Sequence, residues 1–417
     1  MNKHIAVIVD SIDVNDSSGS KANVALISNL IAVGCRVSVF HYTRKQIEIK
    51  NAECFAIKEK RSTLLFFLSR SQRIIQRLFN VNLAKCLEPI FGFSFTFFND
   101  VNSIKTVLKN IDISQVDLVI TLSKAASFRP HYAVNELPEL HEKWMAYIHD
   151  PYPFNCYPKP YDWKDPGHEI KEKFFKSLSE NAKYSAFPSL LLKEFMGQVF
   201  DNFNNTGMVI PHQIINVDIK EQKPPSYFER NKFNVMHAGS LLKQRNPEGL
   251  IKGFQRFLDN NNKAKKDSKL ILLGNADYHK QMIENYSKEL PQLYVKLSNI
   301  SFKEVYCLQY HVSVNIILEA DSEVSPFLPG KFPHCVSADK PILHLGPEKS
   351  ESKRLLGVKY PYSSEINDIN KIAEIFERLY EEWKNNDEKL ILNRPDLVNY
   401  LSENQLKTQL KKVFKND

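Results

Sequence analysis

Two basic residues in the second half of the chain stand where a phosphate group could be bound. Arg245 lies in the stretch Gly239–Glu248, just before Asn246-Pro247, a pair typical of a helix start. Lys331 follows a Pro-Gly pair, and a short helix is predicted to begin at or just after that break. Because helix starts offer N–H groups and a positive dipole end, two such cations would complete a diphosphate site without a metal. For Lys331 the simpler alternative is a solvent-facing loop with one ordinary lysine.

Two glycine-containing turns end the first two strands predicted in this half. Gly239-Ser240 follows the strand predicted at residues 233–238, and Gly274-Asn275 follows the one predicted at 270–273. The carboxyl ends of parallel strands lie at one edge of a sheet, so these turns are expected to converge with the two cations. The second turn is typical of a tight bend where backbone can approach a planar ligand. We find no Asp-x-Asp pair, and no metal site is predicted.

In the first half, a histidine stands at the end of a predicted strand. The apolar run 144–148 leads into His149-Asp150 and a proline, which ends the strand. The loop after the first strand contains Ser18-Gly19 and is expected at the same edge of its sheet. His149, Asp150, Ser18 and Gly19 are therefore candidate site residues. The alternative for His149 is a purely structural histidine.

Strands and helices alternate along the chain and would position these residues. Ile5–Val9 is a short apolar run of the kind buried on both faces of a parallel sheet, and it is followed by a helix that ends at Gly34. The alternation restarts after a polar linker, residues 216–232. The fold class is therefore α/β, with two doubly wound Rossmann-like domains at residues 1–215 and 233–395. The dinucleotide fingerprint G-x-G-x-x-G is absent.

Residues 61–100 break this alternation. Arg70, Arg73 and Arg77 are interleaved with isoleucine, leucine and phenylalanine, and an aromatic run follows at residues 90–98. Two interpretations remain open for this basic amphipathic segment. It is either a core-facing helix in an insertion, or a surface for peripheral contact with an anionic membrane or a lipid acceptor.

Composition limits the classes of protein that this chain can belong to. Its 417 residues, 43% hydrophobic and 25% charged, suit a soluble protein with two cores, and the net charge of +8 suits phosphates or an anionic membrane face. The six scattered cysteines indicate reduced thiols, and no run is long enough to span a bilayer. No nucleic-acid-binding signature is found. The expected location is the cytoplasm, including the inner face of the membrane.

These segments, taken in order, resemble a GT-B glycosyltransferase of the large retaining group 1, glycosyltransferase family 4-like. The matching segments are Ser18-Gly19, His149 in His-Asp-Pro-Tyr-Pro, Ile210-Pro211-His212, Gly239 with Arg245-Asn-Pro-Glu248, and Glu323 with Pro329-Gly-Lys331 and Ala338-Asp-Lys340-Pro341. Each segment is weak alone. Together they cover the chain and are specific for the fold and class, but not for the sugar.

The resemblance implies a central cleft between the two domains, with the last helix, about residues 396–417, joining the first domain. It implies a UDP- or GDP-linked sugar as co-substrate, no other cofactor, and a glycan or lipid-linked acceptor in surface polysaccharide or glycoconjugate biosynthesis. By resemblance, His149 and Glu323 contact the donor sugar, and the loop at Gly19 closes over the donor. Arg245 and Lys331 would neutralise the diphosphate, and retention would follow front-face displacement.

Two positions depart from the family's pattern. Ser240 stands where an arginine is usual, so Arg245 acts alone or with Lys243. His334 stands where a glutamate grips the ribose, and a histidine offers fewer acceptor atoms for that contact. These departures support an alternative function, a catalytically silent GT-B homologue that binds a sugar nucleotide or a partner enzyme. A third reading, a nucleotide-sugar epimerase, would need a carboxylate-rich site that the sequence does not show.

Overall fold

The computed structural model of the chain describes residues 1–124, 126–153, 156–215 and 222–415. Its strands are β1 His4–Val9, β2 Arg36–His41, β3 Glu53–Ala56, β4 Leu118–Leu122, β5 Trp144–Tyr147, β6 Tyr184–Phe187, β7 Gly207–Val209, β8 Phe233–Ala238, β9 Ser268–Leu273, β10 Leu293–Lys296, β11 Val314–Leu318, β12 Val324–Ser325, β13 Ile342–Leu345, β14 Lys349–Ser350 and β15 Ser363–Ser364. Its helices are α1 Ser18–Ala32, α2 Leu64–Phe79, α3 Ala84–Phe91, α4 Phe95–Leu108, α5 Arg129–Asn135, α6 His168–Asn181, α7 Leu190–Val199, α8 Asn202–Thr206, α9 Glu248–Asn260, α10 Ala264–Asp267, α11 Lys280–Glu289, α12 Phe302–His311, α13 Phe332–Ser337, α14 Glu351–Leu356, α15 Ile369–Asn385, α16 Pro395–Tyr400 and α17 Glu403–Val413.

The chain divides into two compact units. Unit 1 comprises Met1–Tyr157, Tyr161–Gln213 and Tyr400–Asp417. Unit 2 comprises Pro158–Pro160 and Ile214–Asn399. Each unit contains one parallel sheet of six or seven strands. Of the predicted linker, residues 216–221 lie outside the described residues.

Unit 1 is built on a seven-stranded sheet in the order β3-β2-β1-β4-β5-β6-β7. Alternate residues of β1 enter two different apolar cores: Ile5, Val7 and Val9 enter one, Ala6 and Ile8 the other. This alternation shows that both faces of the sheet are covered, as the run of apolar residues predicts. The strand order reverses between β1 and β4, so the loops after these strands flank the switch point where such sheets bind ligands.

Helix α1 begins within the stretch that we predicted as a loop. Ser17 is its N-cap, and the Ser17 hydroxyl accepts a hydrogen bond from the backbone N–H of Ser20. Ser18 and Gly19 therefore lie in the first helical turn, because the cap starts the helix before the apolar residues that mark it in the sequence. The predicted end of this helix at Gly34 is confirmed, with Gly34 at φ 87°.

Unit 2 is built on a six-stranded sheet in the order β10-β9-β8-β11-β13-β15, with β12 and β14 forming a small separate pair. Its order reverses between β8 and β11. The two loops that leave these strands carry the candidate cations, since Arg245 follows β8 and Lys331 follows β11. The α/β fold class with two doubly wound units is confirmed.

Two local predictions were wrong. The last helix, predicted as one element, is broken into α16 and α17, because Ser402 caps a new helix by accepting from the backbone N–H of Asn404. Strand β3 was not predicted, since only four residues, with an exposed glutamate among them, form this edge strand. Helix α17 places Leu406, Leu410 and Val413 in a core of unit 1.

Among the described residues, no helix combines the length and the apolar character needed to cross a bilayer.

Candidate functional site

In unit 2, the turns after β8 and β9 are in direct contact. The backbone N–H of Gly239 donates to the carbonyl of Leu273 over 2.8 Å. Gly274 has φ 122°, and a Cβ added there would lie 2.5 Å from the carbonyl oxygen of Gly239. Glycine is required at position 274 both for its backbone angle and for this close approach. The structure thus brings together the two predicted glycine turns.

Lys331 lies against the first of these turns. It is the residue before α13, and a Cβ added to Gly239 would lie 3.3 Å from the Lys331 Nζ. The Nζ is 3.2 Å from Nδ1 of His237, the penultimate residue of β8. Burial, with a smaller contribution from the positive charge of Arg245, lowers the pKa of the Lys331 amine to about 7.

Arg245 belongs to the same group of side chains. Its backbone N–H donates to the carbonyl of Leu242 in the turn after β8, and the Asn246 side chain accepts from the N–H of Glu248, the first residue of α9. The pKa of His237 lies well below its usual range. Burial is the main cause, and the positive charges of Lys331 and Arg245 add to it. His237 is therefore neutral and can accept a hydrogen bond from the Lys331 ammonium.

Two like charges enclosed together favour an anionic ligand. The charge of Arg245 disfavours the charged form of Lys331, and an anion between them would remove that penalty. These groups suit a diphosphate. The guanidinium of Arg245 can form two parallel hydrogen bonds, the ammonium of Lys331 supplies a compact charge, and the two glycine turns bring their backbone close.

A buried carboxylate near this group was missed by the sequence analysis. Glu319 directly follows β11; it accepts from the Ser352 hydroxyl over 2.5 Å and lies 3.5 Å from Nε2 of His344. Burial opposes its ionisation, but His344 and the hydroxyl donors outweigh burial and keep its pKa below the usual value. Its charge raises the pKa of Lys331. Its place at a strand end was the signal available in the sequence; His237, inside a strand, gave none.

The other predicted residues of unit 2 lie in varied surroundings. Ser240 and Asn275 are exposed, and the Asn275 side chain bonds to Asp277 in its own turn. Glu323 is exposed directly before β12, and its backbone N–H donates to the carbonyl of Lys159. His334 is buried on α13, where its ring meets Phe302 and Tyr306 edge-on at 5.3 and 5.6 Å.

In unit 1, His149 is tied to α1 through Asn23. The Asn23 amide donates to the carbonyls of Ser11 and Ser123, and its Oδ1 lies 3.0 Å from Nε2 of His149. Because both amide hydrogens are used, Oδ1 must accept, and Nε2 of His149 carries the proton. Asn23 therefore joins the loops after β1, β4 and β5. No pattern in the sequence pointed to it.

His149 is one of four buried histidines among the described residues of unit 1, with His41, His131 and His212. Its ring stacks on that of His212 with centroids 5.5 Å apart. Burial lowers the pKa of His149 well below its usual value, that of His212 to about 4 and that of His131 to about 3. All three are neutral at pH 7. Of the remaining candidates, Ser18 is exposed, and Gly19 and Asp150 are half-buried.

Among the residues that the structure describes, no three His, Cys, Asp or Glu side chains are grouped as metal ligands would be.

Several solved structures resemble the chain over its whole length. A Rickettsia africae glycosyltransferase is 12% identical over 100% of this chain and 98% of its own, with a TM-score of 0.61. Anabaena HepE, in complex with UDP and glucose, is 10% identical over 100% of both chains, with a TM-score of 0.60. A UDP-forming α,α-trehalose-phosphate synthase from Burkholderia xenovorans is 11% identical over 100% and 99%, with a TM-score of 0.62. No protein-family model and no curated protein matches the sequence. The chain has the GT-B fold.

Proposed function

We propose that this protein is a glycosyltransferase that transfers a sugar from a nucleoside-diphosphate donor to a glycan or lipid-linked acceptor. Unit 2 binds the donor. Arg245 and Lys331 hold the diphosphate, the backbone at Gly239 and Ser240 lies alongside it, and the turn at Gly274 takes the nucleoside. The observation that carries the proposal is the enclosure of Lys331 with Arg245 beside the turn after β8.

The proposed reaction retains the anomeric configuration. The bond from the sugar C1 to the β-phosphate oxygen breaks, a bond from C1 to the acceptor oxygen forms on the same face, and the acceptor proton goes to the departing phosphate. Negative charge builds on that phosphate, and the two cations stabilise it without a metal, by a few kcal/mol for each donor. The contacts of His149, Glu323 and His334 with the donor stay predictions.

The donor is expected to be UDP- or GDP-linked. Of the similar structures named above, HepE is in complex with UDP and the trehalose-phosphate synthase is UDP-forming. UDP is therefore the first nucleotide to test. The proposed setting is the synthesis of surface polysaccharide or glycoconjugate in the cytoplasm, at the inner face of the membrane.

Thermal stability measured with UDP, GDP, CMP and dTDP, each alone and linked to a sugar, tests the proposal. At least one diphosphate should raise the melting temperature, because a ligand that binds only the folded state stabilises it. CMP should not, since it has a single phosphate. If no diphosphate stabilises the protein, the donor site is refuted.

The second candidate function is a catalytically silent homologue that binds a sugar nucleotide or a partner enzyme. It is favoured by the departures from the family pattern at Ser240, which is exposed, and at His334, which is packed among aromatic rings. Donor turnover separates the two candidates. A protein that is stabilised by a sugar nucleotide but neither transfers nor slowly hydrolyses any donor is the silent homologue.

A further inference from the structure

Unit 1 exposes a concentrated apolar surface on α2 and α3. Among the described residues, seventeen large apolar side chains are exposed, and nine of them lie between residues 64 and 91. We call this surface the apolar face; its members are Leu64, Phe67, Ile74, Ile75, Leu78, Phe79, Val81, Ile90 and Phe91. Scattered apolar residues are normal on a protein, but a concentration of this kind marks a binding surface.

Helix α2 buries mostly polar residues and exposes apolar ones, the reverse of an ordinary surface helix. Its buried residues are Phe66, Ser69 and Gln72, two of them polar. Leu78 and Phe79, by contrast, are 72% and 69% exposed. The interpretation of residues 61–100 as a core-facing helix requires the apolar stripe to point inward. On α2 the stripe points outward, whereas Phe93 and Phe97 of the aromatic run are buried in a core of unit 1.

The apolar face is bordered by positive charge. From Lys60 to Leu87 the sequence contains six lysines and arginines and no aspartate or glutamate. Arg73 pairs with Glu59 over 3.0 Å. Arg70 and Arg77 are exposed beside the stripe and form no ion pair with any residue that the structure describes. The charge of this border is therefore available to an anionic partner.

A groove continues the apolar face into the body of unit 1. Its volume is about 390 Å³, and Leu65 of α2 and Phe91 of α3 both line it. Further lining residues are Phe95, Phe98, Val101, Asn102, Tyr132 and the ion-paired Lys105 and Glu136. The exposed helix surface and the groove together form one apolar region.

We propose that the apolar face docks on an anionic membrane surface, with α2 lying in the plane of the interface. A 16-residue helix is about 24 Å long, shorter than the roughly 30 Å hydrocarbon core, so it can lie on a bilayer but not cross it. Bulky apolar residues enter the boundary between headgroups and chains, and Arg70 and Arg77 contact lipid phosphates.

A second copy of this chain is a poorer occupant of the apolar face. A two-fold dimer through this surface would set the same patch against itself. Arg70 and Arg77 of one copy would then meet the same cations of the other, with no carboxylate between residues 60 and 87 to compensate. An anionic lipid surface can accommodate the apolar side chains and also pair with the cations that border them. Docking does not depend on the proposed transferase activity. If the acceptor is lipid-linked, however, docking would bring the protein to the membrane that contains it.

Flotation of the full-length protein with vesicles tests the proposal. We expect binding to phosphatidylcholine vesicles that contain phosphatidylglycerol, weak binding to phosphatidylcholine alone, and a loss with added salt. The double variant Leu78→Glu/Phe79→Glu should bind at least about tenfold more weakly. Its matched control is Val358→Glu/Ile391→Glu, which makes the same change at two exposed apolar residues of unit 2 and should bind as the wild type does.

The charged border is tested separately. Arg70→Gln/Arg77→Gln should weaken binding to the anionic vesicles by about fivefold for each arginine. Lys263→Gln/Lys266→Gln removes two exposed cations of unit 2 and should have no effect. Equal binding by all variants, or no binding by the wild type, would overturn the proposal. So would a dimer in lipid-free solution that Leu78→Glu/Phe79→Glu dissociates. Melting temperatures of the variants show whether any loss comes from unfolding.

Discussion

The Nζ of Lys331 lies 3.2 Å from Nδ1 of His237, at the carboxyl end of β8. Burial and the nearby cations keep the ring neutral, so it accepts from the ammonium without neutralising it. An amine whose pKa has fallen to about 7 loses its charge readily, and a bound anion would restore that charge. The proposed donor site can therefore be tested in two ways, by removing the charge of Lys331 and by measuring proton uptake when the ligand binds.

Removing either cation should abolish most donor turnover. We expect Lys331→Ala and Arg245→Ala each to lower kcat/KM by about 10² to 10³, the usual loss for one charge-stabilising donor. Lys280→Ala, at an exposed position on α11, is the matched control and should keep wild-type rates. The measurement is nucleotide release with the donor that the thermal screen identifies. Wild-type rates in both site variants would rule out the diphosphate assignment.

Diphosphate binding should take up a proton. In the unliganded protein the Lys331 amine is mostly neutral at about pH 8, because its pKa is about 7. Bound phosphate favours the ammonium and raises that pKa, so affinity is greatest below pH 7 and falls as the pH rises toward the pKa of the complex. Calorimetry at about pH 8 in buffers of different ionisation enthalpy should show uptake approaching one proton.

The same titration with Lys331→Met supplies the control, since a methionine of similar size cannot titrate. Its binding should be weaker, with no buffer-dependent heat. Uptake that persists in this variant would assign the proton to another group.

Periodicity and turn signals in the sequence predicted most of the fold. The strand predicted at Phe233–Ala238 coincides with β8, and all six of its residues are buried, as in a strand covered on both faces. Elements stabilised by side-chain caps were harder to place. Ser17 begins α1 before its apolar pattern appears, and Ser402 divides the last helix where the pattern is continuous.

The site was predictable where backbone geometry requires a particular residue. Gly239 and Gly274 are marked in the sequence because a turn and a close approach require glycine. Asn23 and His237 are not marked, since their roles come from contacts across the sheet edge between residues far apart in the chain. Glu319 was not singled out in the sequence, because its burial is set by packing.

The contact between the two glycine turns should be intolerant of a side chain. Gly274→Ala places a Cβ 2.5 Å from the carbonyl oxygen of Gly239 at φ 122°, so it combines backbone strain with a clash. We expect a loss of about 2 to 4 kcal/mol in the free energy of unfolding. Gly357→Ala is the control: it has φ 103° but no atom within 4 Å of the new Cβ, and should cost about 1 to 2 kcal/mol. Urea unfolding of both variants is the measurement. Equal losses would show that the turns can move apart.

The buried histidines should make the protein sensitive to mild acid. In the unfolded chain a histidine takes up a proton near pH 6.5, whereas folding holds the pKa of His212 at about 4. The folded-state pKa is depressed, so stability is complete above pH 6.5 and falls as the pH drops toward 4, by about 1.4 kcal/mol per pH unit for each such histidine. His212→Gln removes one of these groups. Urea unfolding at pH 7.5 and 5.5 should show a smaller acid loss in this variant than in the wild type, by about 1 kcal/mol. His168→Gln, at a half-buried position on α6, should retain the full loss. An unchanged acid loss in His212→Gln would mean that His212 is already charged in the folded protein.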